Sequence, residues 1–403
     1  MNENNNPNFD FYSFNEQPKK EEPKPTPEAD PLVVPTGEPV DWTEQAAQRE
    51  GEERPEATAT ATAATVAVAV IDPAEQASKM KRSYSRVGWC FVAITVVWLL
   101  STVILQVIAA IAAPQLYDTY WFEIVTGTVP LYVICTPLLF LLLQGAPTQA
   151  PDKKKLPVGH FFLLLVMAEA VMVGGSLIGN GLMTVVSLLT GNDFQNQLND
   201  TFALPLWITF LFTVVLAPIF EEIIFRKLLL DRMLPYGSFC AILFNGILFG
   251  AFHGNFFQFF YAAALGMLLA FLYSRTGKLH HCILIHMVIN FLGGVLPSIL
   301  YDWLDYDAMM QLMENEEELL LYITEHILPY LATMAYSALQ YGCAIAGVII
   351  FAVNFRHFKS EKGEGLLPVK QGLTAGFVNS GMIAAVVVCI ALFAISMMSS
   401  VVA

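Results

Sequence analysis

Apolar residues in this chain gather into long runs, several of which approach or exceed the ~20 residues needed to span a bilayer. Nine runs are predicted as helices: Gly88 to Ala113, Trp121 to Leu143, about Gly159 to Leu189, about Leu204 to Arg226, about Ser238 to His253, Phe256 to Tyr273, about His280 to Leu300, Leu328 to Phe355, and Ala375 to about Val401. Lipid offers no hydrogen bonds to the backbone, so each run must satisfy its own N–H and C=O groups as a helix. The fold class is therefore all-α, a polytopic transmembrane bundle of nine spans. Eight is the alternative, because only the short connection 253–256 separates the fifth run from the sixth.

The polar connections alternate in charge. Lys79, Lys81, Arg82 and Arg86 precede the first run, and Lys153, Lys154 and Lys155 follow the second. Arg226, Lys227 and Arg232 close the fourth, Arg275 and Lys278 the sixth, and Arg356, Lys359, Lys362 and Lys370 the eighth. Connections 114–120 and 190–201 have no basic residue, and 301–327 has eight acidic residues and no basic one. Basic loops stay in the cytoplasm, which predicts an integral, multi-pass cell-membrane protein with its N-terminus cytoplasmic and its C-terminus outside.

Composition agrees. The 403 residues are 55% hydrophobic and only 14% charged, against roughly 25% charged in soluble domains. The net charge of −14 is uneven: residues 1–78 carry −11 and the rest −3. That segment is rich in Asn, Pro, Glu and Ala-Thr and is expected to be a disordered acidic cytoplasmic tail. No basic patch points to nucleic acid. The six cysteines stand singly in apolar runs and read as small buried side chains rather than disulfides or zinc ligands. The expected organisation is tail (1–78), N-terminal spans (79–203), a core carrying the chemistry (204–300), an acidic outer loop (301–327) and C-terminal spans (328–403).

Three polar constellations interrupt the apolar runs. The first is Glu221-Glu222-Ile223-Ile224-Phe225-Arg226. An ionisable group in a membrane helix costs ~2.5–3.5 kcal/mol on insertion scales, so three in six residues need partners. Glu222 and Arg226, four apart, share a helix face and can pair. Glu221 points about 100° away and has no partner in its own segment, which suits a general base; a helix-end ion cluster is the structural alternative. The second is Phe249-Gly250-Ala251-Phe252-His253, where glycines on both sides allow close approach to the imidazole. The third is His286-Met287-Val288-Ile289-Asn290, again four apart, able to stabilise an oxyanion or to glue helices together. Glu169, in the third run, is a further carboxylate without an assigned role.

EExxxR, FxxxH and HxxxN in this order resemble the CPBP (Abi) family of intramembrane endopeptidases, which includes the CAAX prenyl proteases and proteins linked to bacteriocin processing and immunity. The likeness covers roughly 205–298. It implies that Glu221 activates the attacking water, that His253 helps hold it, and that His286 and Asn290 form the oxyanion hole, with Glu222 and Arg226 in support. Substrates would be peptides or membrane-associated, CAAX-like segments reaching the site from the cytoplasmic side. Zinc on Glu221, His253 and His286 is the alternative, but HExxH is absent and Asn290 suits an oxyanion better; the expected mechanism needs no cofactor. Serine or aspartyl intramembrane proteolysis lacks its motifs: there is no GxSG and no GxGD. A non-proteolytic transporter, scaffold or immunity protein is the rival from another class, although no internal repeat of the kind carriers use is visible. Depth sets a condition: His253 must come down to the level of Glu221 and His286, as it would if the fifth helix were re-entrant.

Overall fold

A computed structural model describes residues 72–401, except 118, 120, 197, 199–203 and 355–366. The expected disorder of the tail lies outside the described residues as far as 71. Its last residues are helical, contrary to expectation. The Asp72 carboxylate accepts from Ala74 N at 2.9 Å, and Pro73 occupies the first turn, where a missing N–H costs nothing. Helix α1 therefore begins at Pro73 and runs unbroken to Ala112, with Lys79 to Arg86 on it rather than before it.

Next come α2 (Ile124–Leu142), α3 (Val158–Thr190), α4 (Leu206–Tyr236), α5 (Ser238–Phe252), α6 (Phe256–Thr276) and α7 (Leu279–Leu304). Two short helices, α8 (Tyr306–Gln311) and α9 (Glu316–Glu325), occupy the acidic connection expected as a loop. The chain closes with α10 (Ile327–Asn354), α11 (Val369–Phe377) and α12 (Ser380–Ser399). The last predicted run is thus broken at Asn379. That side chain donates to Ala375 and Gly376 carbonyls and accepts from Met382 N, capping two helices at once. Among the described residues the fold is all-α, with a lone β-bridge between Phe194 and Val401.

Among the described residues eight helices are long and apolar enough to cross a membrane, and α5 is not one of them. Its 15 residues rise only about 22 Å. It stops because Gly254 takes φ +69°, and Asn255 starts α6 by accepting from Gln258 N. The two helices form a tight hairpin. Gly246 and Gly250 lie on the α5 face turned to α6, and a Cβ on Gly250 would stand 2.6 Å from Phe259 O, so only glycine lets the backbones meet. The hairpin packs on α3, where a Cβ on Gly175 would overlap the Tyr261 backbone; α10 covers another side of α3 and α12 lies along α1. Leu188, Leu189, Val353 and Met398 face outward, where a bilayer supplies their apolar surroundings.

The described ones among the alternating connections read from the sequence lie at two ends of this bundle. At one end Lys154 N donates to Thr276 O, Gln149 N to Asp231 O, and the Arg86 guanidinium to Leu142 and Gln144 carbonyls. The basic connections therefore meet. At the other end Gln195 N donates to Ser400 O, and the Tyr322 hydroxyl to Leu304 O. The connections there are neutral or acidic.

Candidate active site in the membrane core

α4 is not a uniform helix. Phe210–Leu216 and Ile223–Leu230 are π-helical, with Ala217–Glu222 as a short α segment between them. α7 has a π segment at Phe291–Val295, just past Asn290. Such wide turns take carbonyls off the regular ladder, and lipid cannot satisfy them. Neighbouring helices do. Asn290 Nδ2 donates to Thr213 O at 2.8 Å, Asn245 Nδ2 to Phe225 O at 2.7 Å, and the Tyr336 hydroxyl to Leu292 O. Each of these three π segments in α4 and α7 is thereby fixed by one side chain from another element, and the two in α4 flank the paired glutamates.

The adjacent carboxylates point to different places. Glu222 is fully buried, with Oε2 2.9 Å from Arg226 Nε, which is equally buried. That distance makes an ion pair, though the N–H does not align for a hydrogen bond. Arg226 also donates Nη1 to Asn245 Oδ1 at 3.3 Å and lies 4.8 Å from the Phe249 ring centre. Glu222 Oε1 stands 3.0 Å from His286 Nδ1. A carboxylate paired to a guanidinium can only accept, so Nδ1 carries the proton and donates. Nε2 then points toward Glu221, 3.8 Å from its Oε2.

Glu221 keeps 15% of its side-chain surface exposed and lines a cavity of about 1710 Å³, together with His253, His286 and Asn290. Tyr132 lines it too, stacked on Phe220 at 4.2 Å. Glu222 and Arg226 are not on its wall. Glu221, His253 and His286 thus line one cavity: α5 turns at Gly254, and Phe256, the first residue of α6, packs on Phe393 of α12, leaving roughly 10 Å of α12 beyond it. Below Glu221 the bundle is closed by Ile224, Phe225, Cys282 and Ile285, all without exposure. Access from the basic end, expected from the sequence, is therefore not what the cavity offers. Its wall continues to Asn196, Asp302, Asp305, Asp307 and Ser399, at the opposite end.

His253 sits at the last turn of α5. Its Nδ1 is 2.9 Å from Phe249 O; a carbonyl accepts, so this nitrogen also bears the proton and Nε2 is free. Asn255 holds the turn, its amide donating to His253 O at 3.0 Å. Two imidazole Nε2 atoms and a carboxylate would suit zinc by donor type. Among the described residues no three His, Cys, Asp or Glu side chains come together as a metal site. Asn290 spends one amide proton on Thr213 O and retains the other. Asn245 and Asn255, which hold Arg226 and the His253 turn, are not in any of the three sequence motifs. Their signal was only that each is an amide within or between apolar runs.

Fold and site together define a polytopic helical membrane protein with a carboxylate–imidazole cluster enclosed in its bundle. Residues 203–292 match the family described as type II CAAX prenyl endopeptidase, Rce1-like. A protein of Bacillus subtilis (strain 168) described as "Putative membrane peptidase YdiL" is 26% identical over 164 residues, which is 40% of this chain and 66% of that protein. The chain thus spans just under two thirds of that relative's length. No solved structure matches the chain. The two similarities support a CPBP-family intramembrane protease, and the matched segment contains Glu221, Glu222, Arg226, His253, His286 and Asn290.

Proposed function

We propose that this protein is an intramembrane endopeptidase that hydrolyses peptide bonds of membrane-associated substrates with a water activated by Glu221. The observation that carries the reading is the 3.8 Å approach of His286 Nε2 to Glu221 Oε2 on the wall of a cavity shared with His253 and Asn290. Glu221 takes a proton from the water while Nε2 of His253 accepts the other hydrogen bond. The water oxygen bonds to the carbonyl carbon, and the free N–H of Asn290 faces the resulting oxyanion. His286 joins it as a donor when Nε2 is protonated. On collapse the C–N bond breaks and Glu221 returns the proton to the leaving amine. No step runs through a metal. The basic end is placed in the cytoplasm by the positive-inside rule.

The test is cleavage of a membrane-peptide library, with prenylated and unprenylated members, by the purified full chain in detergent. Cleavage lost in Glu221→Ala and His253→Ala supports the reading. Solute or ion flux in vesicles without cleavage of any peptide would replace it with transport.

A further inference from the structure

We propose that the cavity takes cationic peptide segments and receives them at the acidic end of the bundle, opposite the basic connections. This deepens the proteolytic reading and rests on it only for what happens to the peptide once bound. Five carboxylates line the cavity: Glu221 in its depth, Glu169 on its α3 wall, and Asp302, Asp305 and Asp307 at its mouth. No lysine or arginine lines it among the described residues. The three mouth aspartates are exposed and pair with no cation among the described residues. Glu169 is 6% exposed, and Gln340, which also lines the cavity, brings no charge.

A concave wall of one sign, bounded by low-dielectric helices, focuses its field outward and raises the local concentration of oppositely charged ligands. An anionic peptide would meet repulsion along the whole path. A lysine- or arginine-bearing segment gains a partner at the mouth and a second at Glu169. The sealed floor beneath Glu221 removes the other route. The acidic mouth belongs to the same end as the C-terminus, since Ser400 O accepts from Gln195 N there. The peptide therefore arrives from the side on which the chain ends.

The experiment uses the full chain in phosphatidylcholine nanodiscs, so that lipid carries no net charge. Short fluorescent peptides of matched hydrophobicity, bearing either Lys and Arg or Asp and Glu, are titrated against Glu221→Gln, which separates binding from turnover. The cationic peptide should bind at least about tenfold more tightly, about 1.4 kcal/mol, than the acidic one. The combined Asp302→Asn, Asp305→Asn, Asp307→Asn variant should lose that advantage; asparagine tolerates the left-handed backbone of Asp305 (φ 48°). Removing three charges off the cavity wall, by Glu316→Gln, Glu317→Gln, Glu318→Gln, should change binding by less than about twofold, being solvent-screened. In sealed vesicles an impermeant cationic peptide should bind only molecules whose C-terminus faces the bath. Equal affinity for both peptides, equal weakening by the control variant, or binding from the other side would overturn the proposal. Turnover by the unmodified chain is read separately. Charge-selective binding without cleavage sinks the hydrolytic reading and leaves this one, and cleavage with no charge selectivity does the reverse.

Discussion

The 3.0 Å contact between His286 Nδ1 and Glu222 Oε1 joins α7 to α4 and decides which ring nitrogen is free. Because Glu222 is already the counter-ion of Arg226, it orients the imidazole instead of reacting. Its neighbour Glu221 is left to face the cavity. Two adjacent, chemically identical residues are thus separated by a rotation of about 100° into one locked within the bundle and one on the cavity wall, the latter being the reacting group of the proposed mechanism.

Glu221→Gln should therefore lower peptide cleavage by about 10²–10⁴-fold, the usual contribution of a general base, while the folded state persists. Cleavage rate and thermal midpoint, measured on one preparation in detergent, check both halves. Substantial residual turnover would remove Glu221 from the chemistry.

Glu222→Gln should behave in the opposite sense. It leaves the fully buried Arg226 without its counter-ion, a loss of about 3–5 kcal/mol for a broken buried pair, so the thermal midpoint should fall well below that of Glu221→Gln. If the two variants unfold together, the division of labour between the carboxylates is wrong.

Which of these features could be read in the sequence follows from what lipid forces into composition. The spans were legible because a bilayer demands apolar runs, and the site motifs because charge within such runs is conspicuous: Glu221, Glu222 and Arg226 announce themselves. The brevity of α5 was not, since Ser238 to Phe252 is as apolar as a full crossing and only the backbone of Gly254 reveals the turn. The helical start at Pro73 was hidden because the same Asp-Pro pair also suits a loop. The π segments leave no mark in hydropathy, and the donors that fix them, Asn245 and Tyr336, come from other helices. The direction in which the cavity opens depends on which helix ends meet, as Gln195 and Ser400 do, and no local pattern encodes that.

Asn255 offers a test of the α5–α6 turn. Asn255→Ala removes both the cap on Gln258 N and the donor to His253 O and should cost about 1 kcal/mol of stability together with a loss of turnover. Asn255→Asp keeps the cap and loses only the donor, so it should hold its stability within about 0.5 kcal/mol and still turn over more slowly. Full activity in the aspartate variant would show that the position of His253 does not depend on this hydrogen bond.

Prolonged exposure to a strong chelator should leave cleavage unchanged, and purified protein should contain substoichiometric zinc by elemental analysis. Activity lost on chelation and restored by zinc alone would mean that Glu221, His253 and His286 rearrange into a ligand set.

The widened turns of α4 make that helix sensitive to residue count in an unusual way. Excising one residue from Phe210–Leu216 would let the backbone relax into an ordinary α spiral, so the shortened segment would still insert and still span. The upstream helix would keep roughly its facing, because a π segment absorbs its extra residue within the widened turn, but Thr213 would lose the off-ladder carbonyl it presents to Asn290. The segment thus works as a socket opened by a single surplus residue, and the penalty for removing it falls on the tie to α7 and not on the helix itself.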